Sequence, residues 1–412
     1  MRAFWALLLV FSGAAKPIQL KEFIATALAR NPEILAAQKR YEAARLRPAQ
    51  ENSLPDPRLS FGYASNGGPL PGQGLGSQPT SNIGVMVSQE IPYPGKLKLR
   101  GGIAAKEAGA EFQQYLAVQL SVRSRVIQAY HMLHHTYAMV EILNQGKDLV
   151  SRTIGVSEVR YSAGKAAQQD ILKAQTQLSL LETRIIQMLQ DRRSAEAELN
   201  ALLNRQPGSP VGVPEDADPP ALPLTVEELL ARAAETAPDL GRGRKMIERG
   251  ELAVNLARKE FHPDYTVSAG YYNMGAMPSM YEARIEIPLH LHTAARQRPA
   301  LDEQVQLLGE ARHNFEAAEQ NLQFRVREAY AAAQTAFRLM KIYSDTILPQ
   351  SSLTIESSLA SYETGATDFL SVLTNVITRI DAQQQAHEQE LNYALALAKL
   401  EELTGVSLEA KP

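Results

Sequence analysis

Histidine is the residue type best suited to chemistry in this sequence, and it occurs in two small groups. His131, His134 and His135 lie in one helical stretch, where residues three or four apart share a face at a spacing that zinc sites use. His290 and His292 fall on one side of an extended segment. Neither group has evident third and fourth ligands, and HExxH is absent. Because imidazoles also serve as ordinary interhelical or surface groups, we predict no metal site.

Motifs of enzymatic chemistry are also missing from the sequence. There is no phosphate-binding loop, no dinucleotide glycine fingerprint and no nucleophile elbow. Carboxylates such as Glu141 and Glu328 lie among Arg and Lys on helical stretches, which indicates salt bridges. The chain has no cysteine, which excludes disulfides, thiolate metal sites, a cysteine nucleophile and lipidation of an N-terminal cysteine. We therefore predict that the protein is not an enzyme and carries no cofactor.

Composition and the N-terminus indicate an exported protein. With 412 residues, 45% hydrophobic residues and a net charge of −3, the chain can bury a core and has no basic excess for nucleic acid. Residues 1–15 read MRAFWALLLVFSGAA, with a positive Arg2, a short apolar run and small residues at Gly13 and Ala15. This pattern predicts a cleaved signal peptide and a mature chain that begins near Lys16. A buried helix is the alternative interpretation.

Four collinear matches indicate that the chain is an internal duplication. The matching pairs are PDPRLSFGY from Pro55 with PDYTVSAGY from Pro263, Asn31–Ile34 with Ala237–Leu240, RVIQAY from Arg125 with RVREAY from Arg325, and Tyr161–Gly164 with Tyr362–Gly365. A proline-rich stretch, residues 206–225, separates the two copies and is expected to be a linker. We predict a first structural repeat over residues 16–205 and a second over residues 226–405.

Each repeat contains two short segments in which apolar and polar residues alternate. They predict strands near residues 57–65, 82–91, 263–273 and 280–288. Two isolated hairpins are marginally stable, and segments of about ten residues with one apolar face are what a transmembrane β-barrel strand requires. Four strands cannot close a barrel, whose smallest known size is about eight strands. Several chains would therefore have to contribute, and symmetric closure follows.

Very long helices follow each predicted hairpin. The stretch from Lys96 to Arg160 contains no proline, and the stretch from Thr293 to Ser361 is interrupted only at Pro299 and Pro349. About 65 helical residues extend roughly 100 Å, which is longer than a compact core. Helical periodicity resumes after a Tyr-x-x-Gly element in both repeats, so each repeat ends in a helical hairpin with a glycine at its turn.

This order of elements, duplicated in one exported chain, resembles the TolC-like outer-membrane efflux factors. The stretches LPDPRLSFGYASNGGP and SQEIPYPGKLKLR are most similar to the heavy-metal branch, the CzcC- and CusC-like channels. The resemblance implies a mainly α fold with a small β part, in which a trimer forms an α-helical barrel capped by a 12-stranded transmembrane β-barrel. It also implies the outer membrane and periplasm of a Gram-negative bacterium, with a periplasmic adaptor and an inner-membrane RND-type pump as partners.

The resemblance further assigns the two hairpin tips, near residues 161–170 and 362–371, to the periplasmic gate that meets the adaptor. The implied tip and gate residues are Tyr161, Gly164, Asp170, Tyr362, Gly365 and Asp368. Many relatives carry aspartates six and nine residues after the second glycine, where this chain has Ser371 and Thr374. Asp368 and Glu363 are candidates to replace that acidic ring, and solvated surface carboxylates are the plainer interpretation.

The function expected from this resemblance is passive conduction of heavy-metal cations from the periplasm to the exterior. Two alternatives stay open. One is a drug or protein export channel of the same fold, because sites rather than folds determine the substrate. The other is a periplasmic coiled-coil adaptor, a different class of protein that also carries long helical hairpins.

Overall fold

The computed structural model describes residues 19–66, 68–215, 222 and 224–406. The predicted signal peptide, residues 1–15, lies outside this range, and so do residues 216–221 and 223 of the predicted linker. Within the described range the chain is mainly helical with one small antiparallel sheet, which confirms the predicted fold class. No helix in this part of the chain is both long and apolar enough to span a membrane.

The elements appear twice in nearly the same order. The first series is α1 (Leu20–Arg30), α2 (Pro32–Ala44), α3 (Arg47–Glu51), β1 (Arg58–Ala64), β2 (Asn82–Ile91), α4 (Lys96–Ser162) and α5 (Gln168–Leu202). The second series is α6 (Val226–Thr236), α7 (Pro238–Lys259), β3 (Tyr265–Asn273), β4 (Met280–Glu286), α8 (Gln297–Ile342), a π-helical turn (Tyr343–Ile347), α9 (Leu348–Thr364) and α10 (Phe369–Thr404). The division into repeats at residues 206–225 stays a prediction.

Prolines accompany breaks in three helical stretches, one of which is the second long helix, where the sequence already indicated an interruption at Pro349. Asn31 and Ala237 both adopt extended backbone conformations before Pro32 and Pro238, because a proline disfavours the helical conformation of the preceding residue. The break at Asn31 separates α1 from α2, and the short α3, with Pro48 in its first turn, follows as a further element. In the second long helix, the π-helical turn ends at Ile347, two residues before Pro349, whose missing backbone donor interrupts the regular hydrogen-bond ladder.

The chain forms two compact units, and each unit draws on both repeats. The first unit comprises Met1–Ala36, Leu116–Ala237 and Asn321–Pro412, and it contains both helical-hairpin turns. Its buried residues near those turns come from α4, α5, α9 and α10, and include Val150, Leu181, Val372 and Ile380. The second unit comprises Ala37–Tyr115 and Pro238–Gln320, and it contains the complete sheet.

The sheet has the order β1-β2-β3-β4, and all neighbouring strands are antiparallel. Its central pair, β2 with β3, joins the two hairpins into one sheet, with Val85 opposite Tyr271. A single row across all four strands runs through Phe61, Val85, Tyr271 and Tyr281. Strands β1 and β4 form its two edges, and no further strand in the described chain pairs with either of them.

One face of this sheet is apolar and the other is polar. The apolar face carries Leu59, Phe61, Tyr63, Ile83, Val85, Val87, Val267, Ala269, Tyr271, Tyr281, Ala283 and Ile285. It is not covered by a helix, since Phe61 and Tyr281 are each 79% exposed and Ile285 is 68% exposed. On the opposite face, Arg284 of β4 pairs with Glu282 and Glu286 of the same strand.

A buried lysine joins the strands to the helices within the second unit. Lys96, the first residue of α4, is 1% exposed, and its Nζ lies 2.8 Å from Glu260 Oε2 and 2.9 Å from Asp264 Oδ1. Burial acts to raise the pKa of Asp264, but hydrogen bonds from Lys96 and from the Tyr93 amide, together with the Lys96 charge, outweigh it and lower that pKa. Both partners lie between α7 and β3, so this ion cluster holds both strand-to-helix junctions together.

Replacing Lys96 by methionine would test this cluster, because the stem is largely kept while the ammonium is removed. We expect the free energy of unfolding to fall by about 2 to 3 kcal/mol, less than for a fully buried pair because Glu260 and Asp264 keep some contact with water. Urea unfolding in detergent, followed by circular dichroism, measures the loss. The control is Lys98→Met at an exposed neighbouring position, for which we expect a change below about 0.5 kcal/mol. Equal unfolding midpoints for the two variants would contradict the proposed role of the ion cluster.

Candidate functional site

The first candidate site is the turn between α4 and α5, which closes in a Schellman motif. The Lys165 amide donates to the Arg160 carbonyl at 2.8 Å, and the Gly164 amide donates to the Tyr161 carbonyl at 2.9 Å. Gly164 has a φ of 70°, a left-handed conformation that favours glycine. The Tyr-x-x-Gly spacing thus places a carbonyl acceptor and a left-handed glycine where the helix must end.

The turn between α9 and α10 repeats the same geometry. The Ala366 amide donates to the Ser361 carbonyl at 2.8 Å, and the Gly365 amide donates to the Tyr362 carbonyl at 3.0 Å. The φ of Gly365 is 82°. The backbone role of the motif is therefore the same at both turns.

The two tyrosine side chains of the motif have different surroundings. Tyr161 is 45% exposed, whereas Tyr362 is 3% exposed. The Tyr362 ring lies 5.8 Å from the Phe369 ring, and its hydroxyl lies 3.3 Å from the Ser157 hydroxyl. Tyr362 is accordingly part of the core that joins the two hairpins, while Tyr161 is available at the surface of the described chain.

Arg160 ties the first hairpin to the second. Its guanidinium carbon lies 4.5 Å from the centre of the Tyr362 ring, a cation–π contact. Its Nη1 also donates to the carbonyls of Tyr362 and Glu363, the latter at 3.0 Å. These carbonyls belong to the last turn of α9, where a cation is favoured by the helix dipole and by carbonyls that lack helical partners.

The two aspartates of the site have different local roles. Asp368 is the N-cap of α10, and its carboxylate accepts hydrogen bonds from the Ser371 amide at 2.9 Å and from the Ser371 hydroxyl at 2.7 Å. Both hydrogen bonds lower the pKa of Asp368, and the bond from the Ser371 hydroxyl has the larger effect. Asp170 lies in the first turn of α5 but is not its cap, which is Ala167 without a side-chain bond. Its carboxylate is half-buried beside the positive end of the helix dipole.

Comparison with known proteins identifies the family. A family model described as outer membrane efflux protein matches residues 23–205 and 229–406. These two segments include most of the chain. The chain belongs to the outer membrane efflux protein family.

Individual relatives of this efflux protein are distant in sequence. Multidrug resistance outer membrane protein MdtP of Escherichia coli strain K12 is 25% identical over 195 residues, which are 46% of this chain and 39% of MdtP. The matched part therefore spans well under half of that relative.

Solved structures share the fold of the efflux protein over nearly its whole length. CusC, from crystal structures concerned with folding and transmembrane channel formation, is similar with a TM-score of 0.79 and 18% identity, covering 94% of this chain and 92% of CusC. The outer membrane protein VceC from Vibrio cholerae has a TM-score of 0.77 and 17% identity, covering 95% of this chain and 97% of VceC. The family and the fold are those of transport channels, and not those of enzymes.

The histidines of the efflux protein form no recognisable metal centre. Burial, helped by the charge of His134, lowers the pKa of His131 to about 4, so this imidazole is neutral near pH 7. His135 is buried, and its Nε2 lies 3.5 Å from Glu388 Oε2. His290 contacts the Phe261 carbonyl at 3.2 Å through Nδ1. Within the part of the chain that the structure describes, no group of three or more potential ligands is suitably placed for a metal ion.

Sequence reasoning did not find Arg160, Ser157 or Phe369, although all three contact Tyr362. Arg160 directly precedes the first Tyr-x-x-Gly element, whereas Ser361 precedes the second. This difference between the two copies is the feature of the sequence that points to Arg160. A cation at the end of only one of two equivalent helices suggests a contact between the copies rather than a shared capping role.

We predict that Arg160→Met will loosen the second turn, because both the cation–π contact and the bonds to the α9 carbonyls are lost. A combined loss of about 1 to 2 kcal/mol corresponds to roughly tenfold faster amide hydrogen exchange across residues 361–370. Exchange measured by mass spectrometry would detect this change. Arg152→Met, at an exposed position on the same helix, is the matched control. Unchanged exchange in Arg160→Met would mean that Arg160 does not hold the two hairpins together.

Proposed function

We propose that this protein is the outer-membrane channel of a tripartite efflux system. In this proposal it is a homotrimer and a passive conduit from the periplasm to the exterior. A periplasmic adaptor opens it, and an inner-membrane RND-type pump supplies the energy. Heavy-metal cations are the proposed cargo. The single observation that carries the channel proposal is the four-stranded sheet, whose apolar face is exposed and whose two edges are unpaired in the described chain.

The exposed apolar face supports contact with lipid. Large apolar side chains arranged in register across four strands form a continuous patch, and such patches on soluble proteins mark interaction surfaces or membranes. The polar face carries the ion pairs of Arg284 and a close contact between the Tyr272 ring and Gly84. Apolar side chains outside and polar side chains inside are the alternation of transmembrane β-barrel strands.

The unpaired edges support assembly of several copies. Backbone donors and acceptors left open in lipid are costly, so a sheet that enters a bilayer must close on itself. Four strands per chain are too few for the smallest barrels, whereas three chains would supply twelve. Pairing of β1 of one copy with β4 of the next would satisfy both edges through one repeated interface.

The helical-hairpin turns are the proposed gate and adaptor-docking sites. Tyr161 is exposed and free to contact an adaptor, whereas Tyr362, Arg160 and Phe369 hold the two turns of one chain together. The Asp368 carboxylate already accepts hydrogen bonds from Ser371 as the cap of α10. To replace the acidic ring at the gate, the same carboxylate would have to cap the helix and face the pore. Opening would then rearrange the buried contacts through which the two hairpins pack against each other.

Metal cations and drugs are the two kinds of cargo that the relatives of this channel indicate. Resemblance of the first strand and corner to the heavy-metal branch favours metal cations, and CusC is among the proteins of similar fold. The partial relative MdtP is named a multidrug resistance protein, so drug export is the second candidate. Weak binding suits a conduit, since conduction requires that the ion can leave. A periplasmic adaptor, a different class of protein, is less well supported, because the family model covers both repeats.

Conductance of the purified protein in planar bilayers tests the channel proposal. We expect small and infrequent openings for the unaltered protein, and at least tenfold more open time for Asp170→Ala combined with Tyr362→Ala, because Tyr362→Ala removes a buried side chain from the core that joins the hairpins. Thr176→Ala with Thr183→Ala, both exposed on α5, is the matched control and should behave like the unaltered protein. Absence of pores in all three proteins would contradict channel function.

Cellular retention of copper, zinc and a fluorescent dye in a deletion strain tests the cargo. We expect retained metal to rise severalfold in the deletion strain and to return to normal on complementation, while dye retention stays unchanged. A rise in dye retention without a change in metal would favour drug export. That outcome would reject the heavy-metal cargo and leave the channel proposal intact.

A further inference from the structure

A pocket beside the strand-to-helix junctions combines apolar walls with several cations. It has a volume of about 660 Å³ and lies between the beginning of α4 and the end of α7. Leu99 and Leu252 supply apolar surface, and Lys98, Arg258, Lys259 and His262 supply nitrogen-bearing side chains around it. No carboxylate lines the pocket among the described residues. An anionic ligand with an apolar part would match this chemistry.

The cations of the pocket are not neutralised by their neighbours. Glu260 and Asp264, the carboxylates close to them in sequence, are engaged by the buried Lys96, and Glu260 also lies 3.6 Å from Arg100. Lys98, Arg258 and Lys259 form no ion pair with a carboxylate in the described chain. Three positive charges therefore surround a partly apolar pocket without local compensation.

The position of Lys259 is fixed by aromatic contacts. Its Nζ lies 5.2 Å from the centre of the Tyr93 ring, and that ring stacks on the His262 imidazole with centres 4.3 Å apart and planes at 12°. There is room for a side chain at Gly95. A Cβ atom added to this glycine would have Lys259 Cε, 4.0 Å away, as its nearest neighbour. The Lys259 side chain therefore lies beside Tyr93 and Gly95, where it lines the pocket.

The pocket is also at the level where the strands end. Strand β2 ends at Ile91 and α4 begins at Lys96, while α7 ends at Lys259 and β3 begins at Tyr265. If the sheet spans the membrane, as proposed above, these junctions coincide with the headgroup region of the periplasmic leaflet. Clusters of basic residues with adjoining apolar surface are suited to anionic lipid headgroups at such a level.

We infer that this pocket binds an anionic phospholipid of the periplasmic leaflet, with its phosphate among Lys98, Arg258 and Lys259 and its acyl region along Leu99 and Leu252. The inference rests on the proposed membrane position of the sheet. Lipid held here would fix the depth of the strands in the bilayer through contacts of this chain alone.

Native mass spectrometry of the purified protein, titrated with phosphatidylglycerol or phosphatidylcholine in detergent micelles, tests this inference. We expect phosphatidylglycerol to bind at least tenfold more tightly, and the variant Lys98→Gln/Arg258→Gln/Lys259→Gln to lose that preference, because each basic residue near an anionic lipid contributes roughly fivefold. The control Lys173→Gln/Arg193→Gln/Arg205→Gln removes the same charge from exposed positions in the other unit. It should keep the preference.

Several outcomes would overturn the inference. Equal preference in the two triple variants would show that the pocket does not select the lipid. Competition by inorganic phosphate at the same concentration as phosphatidylglycerol would indicate a free-anion site. Lipid binding to single chains but not to the oligomer would mean that a second copy covers the pocket. Insertion into bilayers is measured in parallel: failure to insert rejects the proposed function, whereas insertion without lipid preference rejects only this inference.

Discussion

Backbone hydrogen bonding at the edges of the sheet is the constraint on which the whole account depends. Strands β1 and β4 each present an unpaired edge in the described chain, and the apolar face between them is exposed. In water the exposed apolar face and the open edges are both unfavourable, whereas in lipid only the open edges are costly, and they are more costly there than in water. Closure by further copies resolves both problems together, since pairing removes the edges and lipid covers the apolar face. The proposed trimer, with twelve strands, would meet this requirement.

In the proposed function, the second compact unit enters the membrane and the first compact unit carries the gate. The second unit contains the sheet and the buried Lys96 cluster that holds the strand-to-helix junctions. The first unit contains both hairpin turns and the contacts of Arg160 and Tyr362. Because each unit combines segments of both repeats, the duplicated sequence does not correspond to two successive compact domains. Long helices such as α4 contribute residues to both units.

The fold class was predictable because its signals are local. Alternation at Leu59, Phe61 and Tyr63 marks a strand, and the proline-free stretch after Lys96 marks a long helix. Contacts between distant segments were not predictable. The pairing of β2 with β3 joins hairpins about 200 residues apart in sequence, and the burial of Tyr362 but not Tyr161 depends on Arg160, Ser157 and Phe369. Identical motifs therefore predicted identical backbone turns but could not reveal their different side-chain environments.

The orientation of the sheet in the bilayer is the central claim, and labelling along β4 tests it most directly. The chain has no cysteine, so single cysteines at Tyr281, Glu282, Ala283, Arg284 and Ile285 can each carry one spin label. In lipid vesicles, the account predicts high accessibility to oxygen at positions 281, 283 and 285, and high accessibility to a water-soluble nickel chelate at 282 and 284. Uniform accessibility to the nickel chelate at all five positions would place the apolar face in water and contradict the account.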